Sequence, residues 1–183
     1  MQATEIGPVD GAPPRDRPGI LVGLEVLLVD DPDAPRPLAE AATALERLGW
    51  IGRTVVLAGE RIAGRRLPEV EADRIAWVRL TLDRPDLAVA VFEEPPTDRA
   101  GDGPGRAAVE PWLRLRDTWQ AASLVTSDDR IVGPAHQAGL AVIQIGPGRT
   151  DGAPAVERAD HQARDLLDAV NQLLVTDTFD AAR

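Results

Sequence analysis

The chain has 183 residues and a hydrophobic content of 44%, which is sufficient to build the core of one domain. Its 30 acidic residues outnumber 20 basic ones, and the net charge of −10 would repel nucleic acids and anionic membrane surfaces. The lack of cysteine excludes disulfides, thiol nucleophiles and cysteine metal sites. The two histidines, His136 and His161, argue against a zinc site, and we expect them to be surface or packing residues. All the basic residues are arginine, a bias typical of GC-rich genomes such as those of actinobacteria.

The two ends of the chain differ in composition from its middle. Residues 1–19 are rich in proline, glycine and charge, and they lack the apolar core of a signal peptide. No later run reaches the roughly 18 apolar residues that a membrane span requires. We therefore predict a cytoplasmic protein with a flexible arm over residues 1–19, one folded domain over residues 20–175 and a tail over residues 176–183.

Apolar runs and helical spacing alternate along the first half of the chain. The run from Ile20 to Val29 predicts a strand or a strand hairpin. Apolar residues from Leu38 to Leu48 have helical spacing, and Gly49 is the predicted end of that helix. A short strand over 55–57, a helix that begins after Pro68 and a third strand over 87–92 are predicted next.

The second half continues this alternation after an irregular segment, residues 94–109, for which we predict a long excursion. The elements predicted after it are a helix with Trp112, Leu115 and Trp119 on one face, a strand at Leu124 and Val125, a short helix closed by Gly139, a strand over 142–145 and a helix over 164–174. This alternation predicts an α/β fold, a Rossmann-like three-layer α/β/α sandwich with a mainly parallel sheet. In such sheets, functional sites lie at the carboxyl ends of the strands.

The segment from Ser123 to Gly148, SLVTSDDRIVGPAHQAGLAVIQIGPG, resembles the last conserved motif of the haloacid dehalogenase-like (HAD) hydrolases, GDxxxDxxAAxxAG. In that family the two acidic positions hold magnesium. When the motif is aligned on the Ala138-Gly139 pair, the acidic positions fall on Ser127 and Ile131. The resemblance therefore implies a magnesium motif without its carboxylates.

A shifted alignment of the same loop would use Asp128 and Asp129 instead. These adjacent acids could bind Mg²⁺ as part of a catalytic site. They could equally form a solvated acidic turn between a strand and a helix.

The segment from Ile20 to Pro32, ILVGLEVLLVDDP, resembles the first motif of the same family, a strand that ends in DxDGT. In the family, the first aspartate attacks phosphorus, the second is the general acid/base, and magnesium bridges nucleophile and phosphate. The resemblance assigns these positions to Gly23 and Glu25. Because glycine has no side chain, it cannot form an aspartyl-phosphate, and covalent catalysis is impossible in this alignment.

A rival alignment uses Asp31-Pro32-Asp33, which is itself a DxD sequence and follows the apolar residues Val26 to Val29. It would restore a nucleophile at Asp31 and an acid at Asp33. The intervening proline and the lack of a following Gly-Thr weigh against it. The same residues also suit a turn that caps a helix starting near Pro37.

Two further motif positions lack their usual groups. The strand RTVVLAGE resembles the second family motif, but its phosphate-binding Ser or Thr position is occupied by Ala58. The third motif requires a basic residue, and Arg106 is the best positional match, ahead of Arg114 and Arg116. The resemblance thus implies a scaffold that has kept its layout and lost its catalytic groups.

The resemblance covers residues 20–174 and leaves little or no room for a cap domain. Among HAD hydrolases, the compact layout is most similar to heptose bisphosphate and histidinol-phosphate phosphatases. The zinc-loop cysteines of several such enzymes are missing here, which weakens any transfer of their substrates.

The first functional hypothesis is a catalytically degenerate HAD-like protein, or pseudoenzyme, that requires no cofactor. It would act as a binding, regulatory or assembly partner of another protein, or as a homo-oligomer. We expect an exposed apolar surface to mediate this association, with Trp77 or Trp112 as part of it.

The second hypothesis is a Mg²⁺-dependent phosphohydrolase for a small phosphate ester, with Asp31 as nucleophile, Asp33 as acid/base and Asp128 or Asp129 at the metal. A third hypothesis is a noncatalytic sensor that binds a small phosphorylated ligand through backbone amides at the strand ends. None of the three predicts a nucleic-acid or membrane partner.

Overall fold

The structure is a computed structural model that describes residues 17–29, 31, 35–62, 64–92, 106–146 and 158–180, with the backbone alone at residues 106 and 177–180. Most of the predicted arm and of the predicted excursion lies outside these residues. The bounds of the predicted domain, arm and tail stay predictions.

A six-stranded parallel sheet forms the centre of the molecule, in the order β5-β2-β1-β6-β7-β8. Its strands are β1 (Gly19–Gly23), β2 (Arg53–Ala58), β5 (Ala88–Val91), β6 (Ala121–Thr126), β7 (Ala141–Ile145) and β8 (His161–Ala163). Two-residue strands, β3 (Arg61–Ile62) and β4 (Arg65–Arg66), form a separate antiparallel hairpin after β2.

Helices cover both faces of this sheet. They are α1 (Ala41–Ile51), α2 (Glu71–Thr81), α3 (Arg106–Trp119), α4 (Asp129–Gln137) and α5 (Leu166–Asp180). One hydrophobic core joins the sheet to α1, α2 and α5, and the other joins it to α3 and α4. The predicted three-layer α/β/α sandwich is confirmed, and within the described residues no separate cap domain is inserted between the strands.

The position of β1 explains its composition. It lies between β2 and β6, and all five of its residues are buried, as expected for a strand covered by helices on both faces. In the register, Gly23 pairs with Leu57 and Val22 with Val125. The last residues of β1, β2 and β6 therefore meet at one edge of the sheet.

The predicted strand over Ile20 to Val29 is wrong in its second half. The strand ends at Gly23, and Leu24–Val26 form a single 3-10 turn that is closed by a hydrogen bond from the Leu27 N–H to the Leu24 carbonyl. The apolar residues of this turn are buried in the core of α1. An apolar run cannot distinguish a buried strand from a buried turn, because burial on all sides removes the periodicity of both.

Several helix bounds also differ from the sequence predictions. Gly49 lies inside α1, which continues because Ile51 is buried one turn after Leu48. Helix α3 begins at Arg106, so residues 106–109 are helical rather than part of the excursion. Helix α5 continues to Asp180, beyond the predicted end at residue 174.

The sequence prediction missed two short elements, the β3–β4 hairpin and β8. None of the three strands involved exceeds three residues, which is too short for an alternating pattern to develop. Among the described residues, no helix has the length and apolar character that crossing a membrane demands.

Candidate functional site

The candidate site lies at the carboxyl ends of β1, β2 and β6. Gly23 is the last residue of β1 and is buried at the centre of this edge, next to the fully buried Ala58 at the end of β2. Thr126, also fully buried, ends β6 on the other side. Gly23, rather than Asp31, therefore occupies the tip of the central strand.

The carboxyl group of Glu25 lies over Gly23, because the 3-10 turn folds it back onto the strand end. A Cβ atom built on Gly23 would lie 2.2 Å from Oε1 and 2.3 Å from Oε2 of Glu25. The Thr126 hydroxyl donates a 2.6 Å hydrogen bond to Glu25 Oε1, and the backbone N–H of Ser127 donates another at 3.2 Å. Glu25 thus fills the space that a side chain at position 23 would need.

The environment of Glu25 favours its neutral form. The residue is partly exposed, but its carboxyl is enclosed, and this burial raises the pKa of Glu25 above the ordinary value of 4.5. The hydrogen bonds from Thr126 and Ser127 lower the pKa without overcoming the desolvation, and the negative charge of Asp128 raises it further. A protonated Glu25 can donate a hydrogen bond where an ionised carboxylate could only accept one.

Asp128 has a structural role at the start of α4. Its Oδ1 accepts a 2.9 Å hydrogen bond from the Arg130 N–H and thereby caps the helix. The Arg130 guanidinium also donates to both oxygens, from Nε to Oδ1 at 3.0 Å and from Nη2 to Oδ2 at 2.6 Å. Burial opposes ionisation, but the Arg130 hydrogen bonds outweigh it and hold the pKa of Asp128 below its usual range.

The carboxylates of this edge do not fit a magnesium site. Mg²⁺ requires near-octahedral oxygen ligands, and both oxygens of Asp128 are engaged by Arg130. The Asp129 carboxylate accepts a hydrogen bond from the side-chain amide of the buried Gln144. In the part of the chain that the structure describes, no three His, Cys, Asp or Glu residues are grouped closely enough to hold a metal ion.

A pocket of ≈ 340 Å³ opens in front of Gly23 and Glu25. Its polar lining includes Arg61 of the hairpin and the Asp128–Arg130 pair. The remaining lining is mainly apolar and comprises Leu24, Leu57, Ile62, Phe92, Trp112 and Ile131, together with Gly59 and Gly64. Charged groups thus stand beside a mainly hydrophobic wall, which is typical of small-molecule sites.

The two tryptophans expected on an exposed surface, Trp77 or Trp112, differ in burial. Trp112 is 0% exposed and packs against Phe92 with ring centroids 4.6 Å apart. Trp77 is partly buried and packs against the core of α1, α2 and α5. The expectation that Trp112 forms an exposed surface is wrong, because its position on α3 faces the sheet.

The structure brings together most of the residues that the family resemblance selected. Ser127 is exposed at the end of β6, and Ile131 lines the pocket from the first turn of α4. Arg106 starts α3, and its side chain lies outside the described residues, whereas Arg114 is exposed and Arg116 donates to the Ala138 carbonyl.

The rival alignment uses Asp31 and Asp33, and the structure describes only Asp31. Asp31 follows the 3-10 turn, where its N–H donates to the Val29 carbonyl at 2.8 Å, and it is absent from the described lining. Asp33 lies outside the described residues.

Sequence reasoning missed two residues of the site, Thr126 and Arg61. Thr126 is a hydroxyl residue at the end of an apolar strand, a position that could have been recognised, but it was assigned to the following loop. Arg61 belongs to the unpredicted hairpin, and its place at the pocket depends on pairing that the sequence does not reveal.

No protein-family model and no curated protein matches this sequence. Solved structures are similar in fold. The D,D-heptose 1,7-bisphosphate phosphatase from B. bronchiseptica, complexed with magnesium and phosphate, has a TM-score of 0.58 and 16% identity over 87% of this chain and 99% of that one. The same phosphatase from Burkholderia thailandensis has a TM-score of 0.59 and 14% identity over 86% of this chain and 99% of that one.

A dehalogenase structure with an intermediate complex has a TM-score of 0.53 and 12% identity, and the match covers 77% of this chain and 58% of the dehalogenase. At these identities the similarity concerns the fold alone. It agrees with the parallel sheet and the two helix layers of this chain. The chain therefore has the fold of the haloacid dehalogenase-like hydrolases.

Proposed function

We propose that this protein is a catalytically degenerate HAD-like domain that acts by binding, with another protein or a second copy of itself as its partner. The observation that carries the proposal is the pair formed by Gly23 and Glu25. The tip of the central strand has no side chain of its own, and the carboxyl of Glu25 is tied down in the space above it.

Glu25 is poorly suited to replace the missing nucleophile. Nucleophilic attack requires the carboxylate form, whereas burial raises the pKa of this group. Its Oε1 already accepts hydrogen bonds from Thr126 and Ser127. Both features suit a structural role for Glu25 in the wall of the pocket better than a role as nucleophile.

The neighbouring acids support the same proposal. Asp128 is neutralised by Arg130, and Asp129 accepts a hydrogen bond from Gln144. Because these partners are part of the protein itself, the acids are satisfied without Mg²⁺. We infer that the domain binds without a metal cofactor.

Individual exposed apolar residues are the candidate contacts for association. Leu80 is 81% exposed on α2, Trp50 is 58% exposed at the end of α1, and Val70 and Val175 are also exposed. Large apolar side chains in water favour burial against a partner. Sedimentation velocity over a concentration series, on wild type and on Leu80→Ser and Trp50→Ser, tests self-association.

For a protein partner, chemical cross-linking in the native cells would be combined with the same two substitutions. We expect either a concentration-dependent dimer or one cross-linked partner. At least one of the two substitutions should weaken that association. A wild-type protein that stays monomeric and yields no cross-linked partner would contradict the association.

The decisive test for the absence of catalysis is an assay with a panel of phosphate esters and 2-haloacids, with and without Mg²⁺. We expect no turnover above the buffer rate from wild type, and the same result from Asp31→Asn. Mg²⁺-dependent turnover that is lost in Asp31→Asn would instead establish the phosphohydrolase with Asp31 as its nucleophile. Turnover that is lost only in Glu25→Gln would show that Glu25 reacts, and it too would overturn the proposal.

A further inference from the structure

We propose that a second cavity, between the β3–β4 hairpin and α2, binds a small zwitterion of the α-amino acid class. Arg74 would receive the carboxylate of this ligand and Glu60 its ammonium group. The cavity shares no lining residue with the pocket in front of Gly23. Binding here goes beyond the proposed function, and it does not depend on whether the carboxyl edge of the sheet catalyses a reaction.

The positive charge of Arg74 is buried without a counter-charge. Arg74 lies near the start of α2 and is only 6% exposed. Its Nε donates a 2.8 Å hydrogen bond to the Pro68 carbonyl. Among the described residues, its Nη1 is enclosed without a hydrogen-bond partner, and no carboxylate forms an ion pair with the guanidinium. Because a buried charge is costly unless it is paired, Arg74 is suited to an anionic group that enters the cavity.

The lining of the cavity determines the rest of the ligand. The cavity has a volume of ≈ 230 Å³, and Glu60, Arg66, Glu69 and Arg74 line it, so every lining residue is charged. Arg66 and Glu69 pair with each other at 2.9 Å. Within the part of the chain that the structure describes, Glu60 and Arg74 are the lining charges that have no such pair. A ligand with one negative and one positive group complements both of them.

Simple ions suit this cavity less well than a zwitterion. An anion at Arg74 would also meet the uncompensated carboxylate of Glu60, and a cation at Glu60 would meet the guanidinium of Arg74. The volume is below the range of about 300–1,000 Å³ that is usual for drug-sized ligands. Both the charge pattern and the size therefore favour the smallest amino acids.

Backbone contacts hold both parts of the site in place. The buried Leu67 belongs to the core of α1, α2 and α5, and its N–H donates to the Glu60 carbonyl at 2.8 Å. The next residue, Pro68, accepts the hydrogen bond from the Arg74 side chain. The hairpin and α2 are thus tied together at residues 67 and 68. A ligand would not have to order these segments, which reduces the entropic cost of binding.

The test uses isothermal titration calorimetry with glycine, acetate and methylammonium, at neutral pH, low ionic strength and equal total salt. Glycine has both charged groups, whereas acetate and methylammonium each have one of them. We expect saturable binding of glycine, at least about tenfold tighter than that of either simple ion. No saturable binding of glycine, or equal affinities for glycine and acetate, would overturn the inference.

An exposed acid provides the first variant, because its replacement does not disturb the core. Glu60→Gln should weaken glycine binding at least about tenfold without weakening that of acetate, since only the ammonium group loses its partner. Glu71→Gln is the matched control, because Glu71 is exposed on α2 and does not line this cavity. Equal losses of glycine binding in the two variants would show that general negative charge, rather than Glu60, attracts the ligand.

A second pair of variants tests the carboxylate end. Arg74→Gln should weaken both glycine and acetate at least about tenfold. Arg79→Gln is its control, because Arg79 also lies on α2 and donates from Nε to a backbone carbonyl, that of Leu87, outside this cavity. Circular dichroism would verify that both variants fold, and if Arg74→Gln does not, the Glu60 variants decide. Equal glycine affinities in folded Arg74→Gln and Arg79→Gln would overturn the assignment of the carboxylate to Arg74.

Discussion

The two edges of the sheet contain close-packed glycines for different reasons. At the amino edge, a Cβ atom on Gly19 would lie 2.5 Å from the backbone carbonyl oxygen of Trp119. At the carboxyl edge, the three atoms nearest to a Cβ atom on Gly23 all belong to the side-chain carboxyl of Glu25, the first at 2.2 Å. The amino edge is fixed by backbone against backbone, whereas the carboxyl edge is closed by a side chain that hydrogen bonds hold in place. Glycine is required for backbone packing at the first edge, and at the second it leaves room for the carboxyl of Glu25.

The largest expected effect is that of Gly19→Ala at the amino edge. The added methyl group must displace the backbone of the segment that joins α3 to β6, and overpacking of this kind costs about 1–3 kcal/mol. Urea unfolding followed by circular dichroism measures the loss. Gly49→Ala is the control, because its Cβ atom would enter open space on α1, where alanine should be neutral or stabilising by up to about 1 kcal/mol. Similar stabilities for Gly19→Ala and Gly49→Ala would contradict the close backbone packing at the amino edge.

The second prediction concerns the hydroxyl that holds Glu25 in place. Thr126→Val removes the donor to Glu25 Oε1 and the acceptor of the 3.0 Å hydrogen bond from the Asp128 N–H. Because these partners would lose hydrogen bonds, we expect a loss of about 1–2 kcal/mol in the free energy of unfolding.

A matched control exists on β2, where the buried hydroxyl of Thr54 has no hydrogen-bond partner. Thr54→Val replaces that hydroxyl with a methyl group, and it should be neutral or stabilising. Equal losses at the two threonines would mean that the contact with Glu25 contributes nothing specific to the carboxyl edge.

The two edges also differ in how well the sequence predicts them. The positions of Gly23 and Ala58 at one edge are implied by the family resemblance and by the rule that parallel strands end together, and the structure agrees. The contact between Glu25 and Thr126 could not be predicted, because it joins residues 101 positions apart through a 3-10 turn that was interpreted as strand.

The roles of the acids in the β6–α4 loop were also difficult to predict, because they depend on side-chain partners. The adjacent acids Asp128 and Asp129 allowed a metal site or an acidic turn, and the choice depends on their partners. Arg130 is close in sequence and could have been considered, but Gln144 lies on the next strand. A side-chain partner from another element is visible only after the strands are placed in register.

The third prediction tests whether Glu25 alone closes the carboxyl edge. Gly23→Ala should cost about 1 kcal/mol, because the added methyl group displaces the carboxyl of Glu25 from its hydrogen bond with Thr126. In a Glu25→Ala background the same substitution should cost nothing further, since the obstruction has been removed. Urea unfolding of the four proteins gives the coupling energy of the cycle. Additive effects would show that backbone, rather than Glu25, restricts position 23.

The smallest expected effect is a change in pH dependence, tested with Glu25→Gln. The folded pKa of Glu25 is raised above the ordinary 4.5, so the folded state holds this proton more tightly than the unfolded chain does. The stability that depends on the neutral acid is therefore complete below the unfolded pKa, and it is lost as pH rises through the folded pKa. Glutamine keeps a carbonyl oxygen for Thr126 and Ser127 and does not titrate in this range.

We accordingly expect wild type to lose stability relative to Glu25→Gln as pH rises above the ordinary pKa of 4.5, in urea unfolding at constant ionic strength. Asp128→Asn should show the opposite trend, because the pKa of Asp128 is lowered and its contribution is present at high pH and lost as pH falls. Parallel curves for wild type and Glu25→Gln would mean that Glu25 is solvated like an ordinary surface acid. The carboxyl edge would then present a negative charge to any ligand, and the two edges would differ in packing alone.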